Sequence, residues 1–116
     1  MGLPQSNADL EAFLDDMMVD YPIEKRRMFG CPAYFFRGNM MGGVFGDSVF
    51  LRFSEKDRES LMADDEEISH FDPLGGRPMR EYLSVPESSF PDIGGLSDLV
   101  DRSFDHVLSL SPKRAV

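Results

Sequence analysis

Two histidines and one cysteine have the widest chemical repertoire in this sequence, and none of them stands in a catalytic or metal-binding motif. His70 and His106 have no second histidine, cysteine or acidic residue at the spacing that metal ligands need. A catalytic thiol needs a basic partner that stabilises its thiolate, and the only basic residues close to Cys31 in sequence are Arg26 and Arg27. We therefore expect no metal site and a structural cysteine.

The remaining nucleophiles and ligand-forming residues also lack a recognisable frame. No serine stands in the Gly-x-Ser-x-Gly context of a nucleophile elbow. The glycine pairs lack the strand-loop-helix spacing of a phosphate-binding loop, and the acidic pairs Asp15–Asp16 and Asp64–Asp65 lack the alternating ligands of a calcium loop. The sequence thus predicts a protein that is not an enzyme, with no catalytic residues and no cofactor.

Length and charge narrow the class of protein further. A chain of 116 residues fits a single domain over 1–116, with an ordered core at about 6–111. One cysteine cannot form an internal disulfide, and neither a signal peptide nor a long apolar run is visible, so we expect a cytoplasmic protein without membrane spans. The net charge of −9 repels a phosphate backbone and argues against direct nucleic-acid binding.

Helical periodicity is strongest near the two ends of the chain. Ser6 and Asn7 are good N-caps for a first amphipathic helix that ends before Pro22. A second such helix follows the Gly94–Gly95 pair and ends near Ser111. The apolar positions of the two stripes are Leu10, Phe13, Leu14, Met17, Met18 and Tyr21, and then Leu96, Leu99, Val100, Phe104, Val107 and Leu108.

Between these helices the pattern changes to short aromatic and β-branched runs separated by turn residues. It predicts a three-stranded antiparallel meander, a short helix capped by Ser54, and two further strands that end at Pro86. The three strands of the meander are expected at Ala33–Phe36, Met40–Phe45 and Ser48–Phe53. The order of elements and the hairpins indicate an α+β fold.

Turn chemistry gives the predicted meander a register. Two-residue turns at Gly38–Asn39 and Gly46–Asp47 would pair Phe36 with Met41 and Val44 with Val49. One sheet face, which the two long helices would cover, then collects Ala33, Phe35, Met40, Val44, Val49, Leu51 and Phe53. The opposite face collects the aromatic residues and the methionine that we predict to form an interaction surface, which are Tyr34, Phe36, Met41, Phe45 and Phe50.

An aromatic face without a covering helix needs a partner, because a monomer rarely exposes such a patch. A homodimer is the simplest expectation, and a different protein partner is the alternative. The basic run Lys25, Arg26 and Arg27 could flank this surface, although a solvated turn beside a helix end is the simpler explanation. It is also open whether the short helix and the Asp72–Arg80 loop fold over the face instead.

Two segments of the sequence resemble the TfoX/Sxy N-terminal domain family. The first is Arg27-Met28-Phe29-Gly30, followed by the aromatic strand, Gly38-Asn39-Met40 and Asp47. The second is Gly76-Arg77-Pro78-Met79 with Tyr82 and Pro86. The resemblance runs from about Arg26 to Leu108.

This resemblance implies an α+β fold and a link to bacterial competence regulators that assist a transcription activator. It implies no catalytic residue. In those regulators a separate C-terminal domain follows, whereas this sequence ends after one helix, so we expect a stand-alone domain. Our hypothesis is a non-enzymatic protein-interaction or regulatory module; the alternative is a small-ligand-binding or enzymatic domain with a pocket near Cys31 and Tyr82, and Arg80 at its rim.

Overall fold

The computed structural model describes residues 3–28, 30–89 and 93–113 of the chain, without the side chains of 3–7 and of 93–94. In chain order its elements are α1 (Leu3–Met18), β1 (Glu24–Met28), β2 (Cys31–Phe36), β3 (Asn39–Phe45), β4 (Ser48–Arg52), α2 (Glu55–Asp64), β5 (Ser69–Phe71), β6 (Met79–Pro86), a single 3-10 turn (Glu87–Ser89) and α3 (Ile93–Leu108). The strands form one antiparallel six-stranded sheet in the order β1-β2-β3-β4-β6-β5. The predicted α+β class is therefore confirmed.

One strand of this sheet was not predicted. The basic run Lys25–Arg27 lies in β1, an edge strand that pairs with β2 from Glu24 opposite Phe35 to Met28 opposite Cys31. The interpretation of this run as a turn is thus wrong, and four strands rather than three precede α2. A charged strand is tolerated at a sheet edge, where most of its side chains reach water.

The helices confirm most of the predicted apolar positions but not all of the predicted ends. Leu10, Leu14 and Met18 are buried along α1. Ser6 and Asn7 lie inside α1 instead of capping it, so that prediction is wrong. The prediction for α2 is confirmed in detail, because the Ser54 side chain accepts a hydrogen bond from the backbone N–H of the third residue after it.

The last helix begins earlier than the glycine pair suggested. It starts at Ile93, so Gly94–Gly95 lies within its first turn, and it ends at Leu108 rather than near Ser111. Its buried positions include Leu96, Leu99, Val100 and Val107, as predicted.

The two hairpins of the meander had different outcomes. The turn at Gly46–Asp47 gives the predicted pairing of Val44 with Val49. The turn between β2 and β3 is formed by Arg37 and Gly38, with φ of 52° and 83°, rather than by Gly38–Asn39. Two successive residues with positive φ are typical of a type I′ turn, whose twist matches that of the flanking strands.

A β-bulge follows this turn and reverses the predicted faces of β2. Phe35 pairs with Met40, whereas Tyr34, the residue before it in β2, pairs with Gly42. Met41 is therefore the extra residue of β3. Since neighbouring residues of a strand point to opposite faces, the one-residue shift moves the whole apolar set of β2 to the other side.

The sheet consequently separates two cores. The helix-facing core joins α1 and α3 to the sheet and contains Tyr34, Phe36, Met41, Val44, Val49, Leu51 and Phe53. The second core, on the opposite face, is built from strand residues: Ala33, Phe35, Met40, Phe50, Phe71 and Tyr82, with Met28, Phe45 and Met79 packed against them. Ala33, Phe35 and Met40 were predicted to face the helices, and this was wrong because the prediction contained no bulge.

Carbonyl groups at and beside the bulge receive hydrogen bonds from both faces of the sheet. The Tyr82 hydroxyl, on the second-core side, donates to the Met40 carbonyl at 2.8 Å. The Ser103 hydroxyl of α3 lies 2.7 Å from the carbonyl oxygen of Arg52 and 3.4 Å from that of Met41. A bulge disrupts the regular ladder, so these side chains satisfy acceptors that would otherwise be costly to bury.

We expect Leu14→Ala to lower the free energy of unfolding by about 2–5 kcal/mol, because it removes buried methyl groups and leaves a cavity under α1. Asp16→Ala, on the exposed side of the same helix, should change it by less than about 0.5 kcal/mol. Urea denaturation of the two variants measures both values. Equal midpoints would contradict the assignment of the buried face of α1.

A second pair of variants tests the support of the bulge. Ser103→Ala removes a buried hydroxyl whose single hydrogen is shared between the carbonyl groups of Arg52 and Met41, and it should cost about 1–3 kcal/mol. Ser109→Ala also removes a hydroxyl that donates to a carbonyl, that of His106, but at an exposed site where water replaces it. Thermal denaturation should show a clear loss for Ser103→Ala alone; a similar melting temperature for both variants would refute the role of Ser103.

Candidate interaction surface

The five residues predicted as an interaction surface do not share a face. Tyr34, Phe36 and Met41 lie in the helix-facing core, whereas Phe45 and Phe50 belong to the second core. Four of the five are at most 6% exposed within the chain itself, and Phe45 is partly buried. The surface that was expected to bind a second copy is therefore largely internal, and a docking site would have to lie on other residues.

The second core is covered in part by Phe71, a residue of the edge strand of its own sheet. The Phe71 ring of β5 stacks on Phe50 of β4 with a centroid distance of 4.0 Å and an interplanar angle of 2°, and it meets Phe45 edge-on at 5.5 Å. Strand β6 lies between β5 and β4, and strands two apart in a flat sheet are about 10 Å distant. The two rings therefore reach across β6 to meet each other.

The β5–β6 connection covers part of the second core, and α2 does not. The cover comes from the two ends of the β5–β6 connection, Phe71 and Met79. The apolar residues of the short helix α2 that reach a core, Leu61 and Met62, pack against the helix-facing core instead.

The predicted basic flank is largely neutralised by neighbouring carboxylates. Lys25 and Arg27 point to the helix side and form ion pairs with Glu11 of α1. Arg26 points to the other face, where its guanidinium pairs with Glu24 at 3.0 Å. Exposed pairs of this kind contribute little to stability, but they leave no concentrated positive patch on β1.

The β5–β6 loop, residues 72–78, is held in one conformation at its base and along its backbone. Phe71 and Met79 pair where the loop begins and ends. The carboxylate of Asp72 accepts hydrogen bonds from the backbone N–H groups of Gly76 and Arg77, at 3.0 and 3.1 Å. This fixed loop presents Leu74, whose side chain is 75% exposed.

Two arginines follow the apolar tip of this loop in sequence. Arg77 and Arg80 are exposed and form no ion pair within the described part of the chain. We use the name loop surface for the exposed tip and the hairpin residues beside it, which are Leu74, Arg77, Met79 and Arg80.

Two clefts flank this hairpin, and both are lined by Arg80. One has a volume of about 320 Å³ and is lined by Arg52, Met79, Arg80, Glu81 and Tyr82. The other cleft has a volume of about 380 Å³ and lies between α2 and the hairpin. It is lined by Glu55, Arg58, Glu59, Met62, His70, Pro78 and Arg80. Arginine, methionine and tyrosine are the side chains that protein interfaces favour over the rest of a surface.

Electrostatic contacts keep the first cleft rigid. Arg52 bonds the Glu81 carboxylate at 2.8 Å, which holds the pKa of Glu81 below its usual value, and its guanidinium lies 5.5 Å from the centre of the Tyr82 ring. Burial raises the pKa of Tyr82 and lowers that of His106, which lies 4.0 Å from Glu81. At neutral pH the cleft thus holds one fixed ion pair, a neutral tyrosine and the free charge of Arg80.

Of the residues predicted to line a pocket near Cys31 and Tyr82, only some line the two clefts. Tyr82 and Arg80 line the smaller cleft, but neither cleft contains Cys31, which sits at the start of β2 opposite Met28. In the described ranges no group of three or more histidine, cysteine or acidic residues is placed to hold a metal ion. No helix in those ranges is long and apolar enough to cross a bilayer.

The sequence indicated Arg80 and Tyr82 as the rim of a pocket and Arg77 only as part of the family resemblance, whereas Leu74 was missed. The available signal was a single leucine between Pro73 and Gly75, in a stretch that otherwise contains turn-forming and polar residues. An apolar residue in such a loop has no strand or helix face to bury it.

Comparison with known proteins gives a family match for most of the chain. The model of the TfoX N-terminal domain family matches residues 18–107. No curated protein and no solved structure gives a significant match to the chain. The matched segment includes all six strands, α2 and nearly all of α3. The chain therefore belongs to the TfoX N-terminal domain family.

Proposed function

We propose that this domain is a non-enzymatic protein-interaction or regulatory module, and that it binds a partner protein through the loop surface. The observation that carries the proposal is the exposed Leu74 on a loop fixed by Asp72, next to Arg77 and Arg80, which have no carboxylate partner in the described ranges. Membership of the TfoX N-terminal domain family is compatible with a regulatory role.

The energetics of the loop favour binding. Covering the Leu74 side chain would contribute about 1.5–3 kcal/mol, because that apolar surface now faces water. A loop that is already ordered loses little conformational entropy when it docks, so more of this free energy appears as affinity. Arginine is one of the residues in which binding hot spots are enriched, and Arg77 and Arg80 follow the exposed leucine in sequence.

The free arginines also indicate the chemistry of the partner. A carboxylate that reaches Arg77 or Arg80 would form a pair that the domain itself does not supply. A two-fold contact between copies would instead bring the arginines of both copies together near the symmetry axis. We therefore infer a different protein with acidic residues at its contact, rather than a second copy.

Leu74→Ser and Val19→Ser form a matched pair of variants for this proposal, because both side chains are 75% exposed and lie in different parts of the fold. Immobilised wild-type and variant domains are incubated with an extract of the source organism, and the captured proteins are quantified by mass spectrometry. A partner of the loop surface should be retained by the wild type and by Val19→Ser, and reduced at least about tenfold on Leu74→Ser.

Equal capture by all three forms would contradict the proposed surface. Light scattering of the wild type and of Leu74→Ser measures whether the domain forms a homodimer. A wild-type dimer that becomes a monomer in the Leu74→Ser variant would show that the partner is a second copy. Circular dichroism of both variants controls for folding, which neither substitution of an exposed side chain should disturb.

A further inference from the structure

The chain does not leave the fold where α3 ends. After Leu108, backbone bonds from Ser109 to His106 and from Leu110 to Val107 close the last turn. Ser111–Lys113, which we call the strap, then lies against the β2–β3 turn. The Lys113 backbone N–H donates to the Arg37 carbonyl at 2.8 Å, and the Asn39 side-chain amide donates to the Ser111 carbonyl at 2.9 Å.

Two features of the turn are shaped to this strap. Gly38 leaves the space that the strap needs, because a Cβ atom there would lie 2.4 Å from the Lys113 carbonyl oxygen. Asn39 is only 9% exposed, so its amide group needs a partner within the protein, and the strap provides one. Gly46 at the neighbouring hairpin has a similar positive φ but no atom within 4 Å of such a Cβ position.

We infer that the strap is a latch that ties the end of α3 to the β2–β3 turn and opens without unfolding of the domain. The strap residues themselves are exposed, and the bonds that hold them are two hydrogen bonds to one turn. Segments with few buried contacts open locally at a lower free energy than global unfolding.

Opening the latch would expose polar groups of the β2–β3 turn. It would free the Arg37 carbonyl and the Asn39 amide, an acceptor and a donor already arranged to bind an extended backbone. The β2–β3 turn is therefore a surface that the chain covers with its own residues 111–113, and the closed and open positions of the strap form a two-state device.

Amide hydrogen exchange of the full chain tests this inference, with Gly38→Ala and Gly46→Ala as a matched pair. Both variants carry the cost of alanine at a positive φ, of 83° and 65°, but only Gly38→Ala collides with the strap. In the wild type the Lys113 amide should exchange more slowly than in an unstructured chain and faster than core amides. Gly38→Ala should accelerate its exchange by about tenfold or more, and Gly46→Ala should leave it unchanged.

Asn39→Asp provides a second route, because a carboxylate would face the Ser111 carbonyl where an amide now donates. It should also release Lys113, and it decides the matter if Gly38→Ala fails to fold. Three results would overturn the inference: a Lys113 amide in the wild type that exchanges as slowly as the core, one that exchanges as fast as a free chain, or an equal acceleration by Gly46→Ala.

Discussion

A β-strand alternates its side chains between two faces, and a single extra residue at Met41 therefore determines which residues of β2 meet the helices. With the bulge, Tyr34 and Phe36 pack under α1 and α3, and Phe35 points to the second core. Without it, those positions would be exchanged. The composition of both cores depends on this one irregularity in the ladder between β2 and β3.

The bulge is supported by groups distant in sequence, which connects it to the surface proposed for function. The Tyr82 hydroxyl of β6 donates a hydrogen bond to the Met40 carbonyl, and the Tyr82 ring lies beside Arg52 at the smaller cleft. Phe71 covers the second core and begins the loop that presents Leu74. The same side chains that complete the second core thus also fix the position and conformation of the β5–β6 loop, which is why a short exposed loop can be a preorganised contact.

What could be predicted from sequence had a local cause. The Ser54 cap and the Gly46–Asp47 hairpin each depend on a few adjacent residues, and both were predicted correctly. The strands around Tyr34 and Phe35 carry apolar residues on both faces, so the usual alternation of polar and apolar residues could not reveal the bulge. Strand β1 escaped prediction because a charged edge strand is specified by its neighbour, and the loop surface because its one apolar residue, Leu74, belongs to no periodic pattern.

The register between β2 and β3 is the most direct test of this account, since the composition of both cores follows from it. Nuclear Overhauser effects between backbone protons of the two strands report it without any substitution. We predict cross-strand contacts that pair Phe35 with Met40 and Tyr34 with Gly42, with Met41 unpaired. Contacts that pair Phe35 with Gly42 and Tyr34 with Gly43 would show a regular ladder without a bulge and would contradict the account.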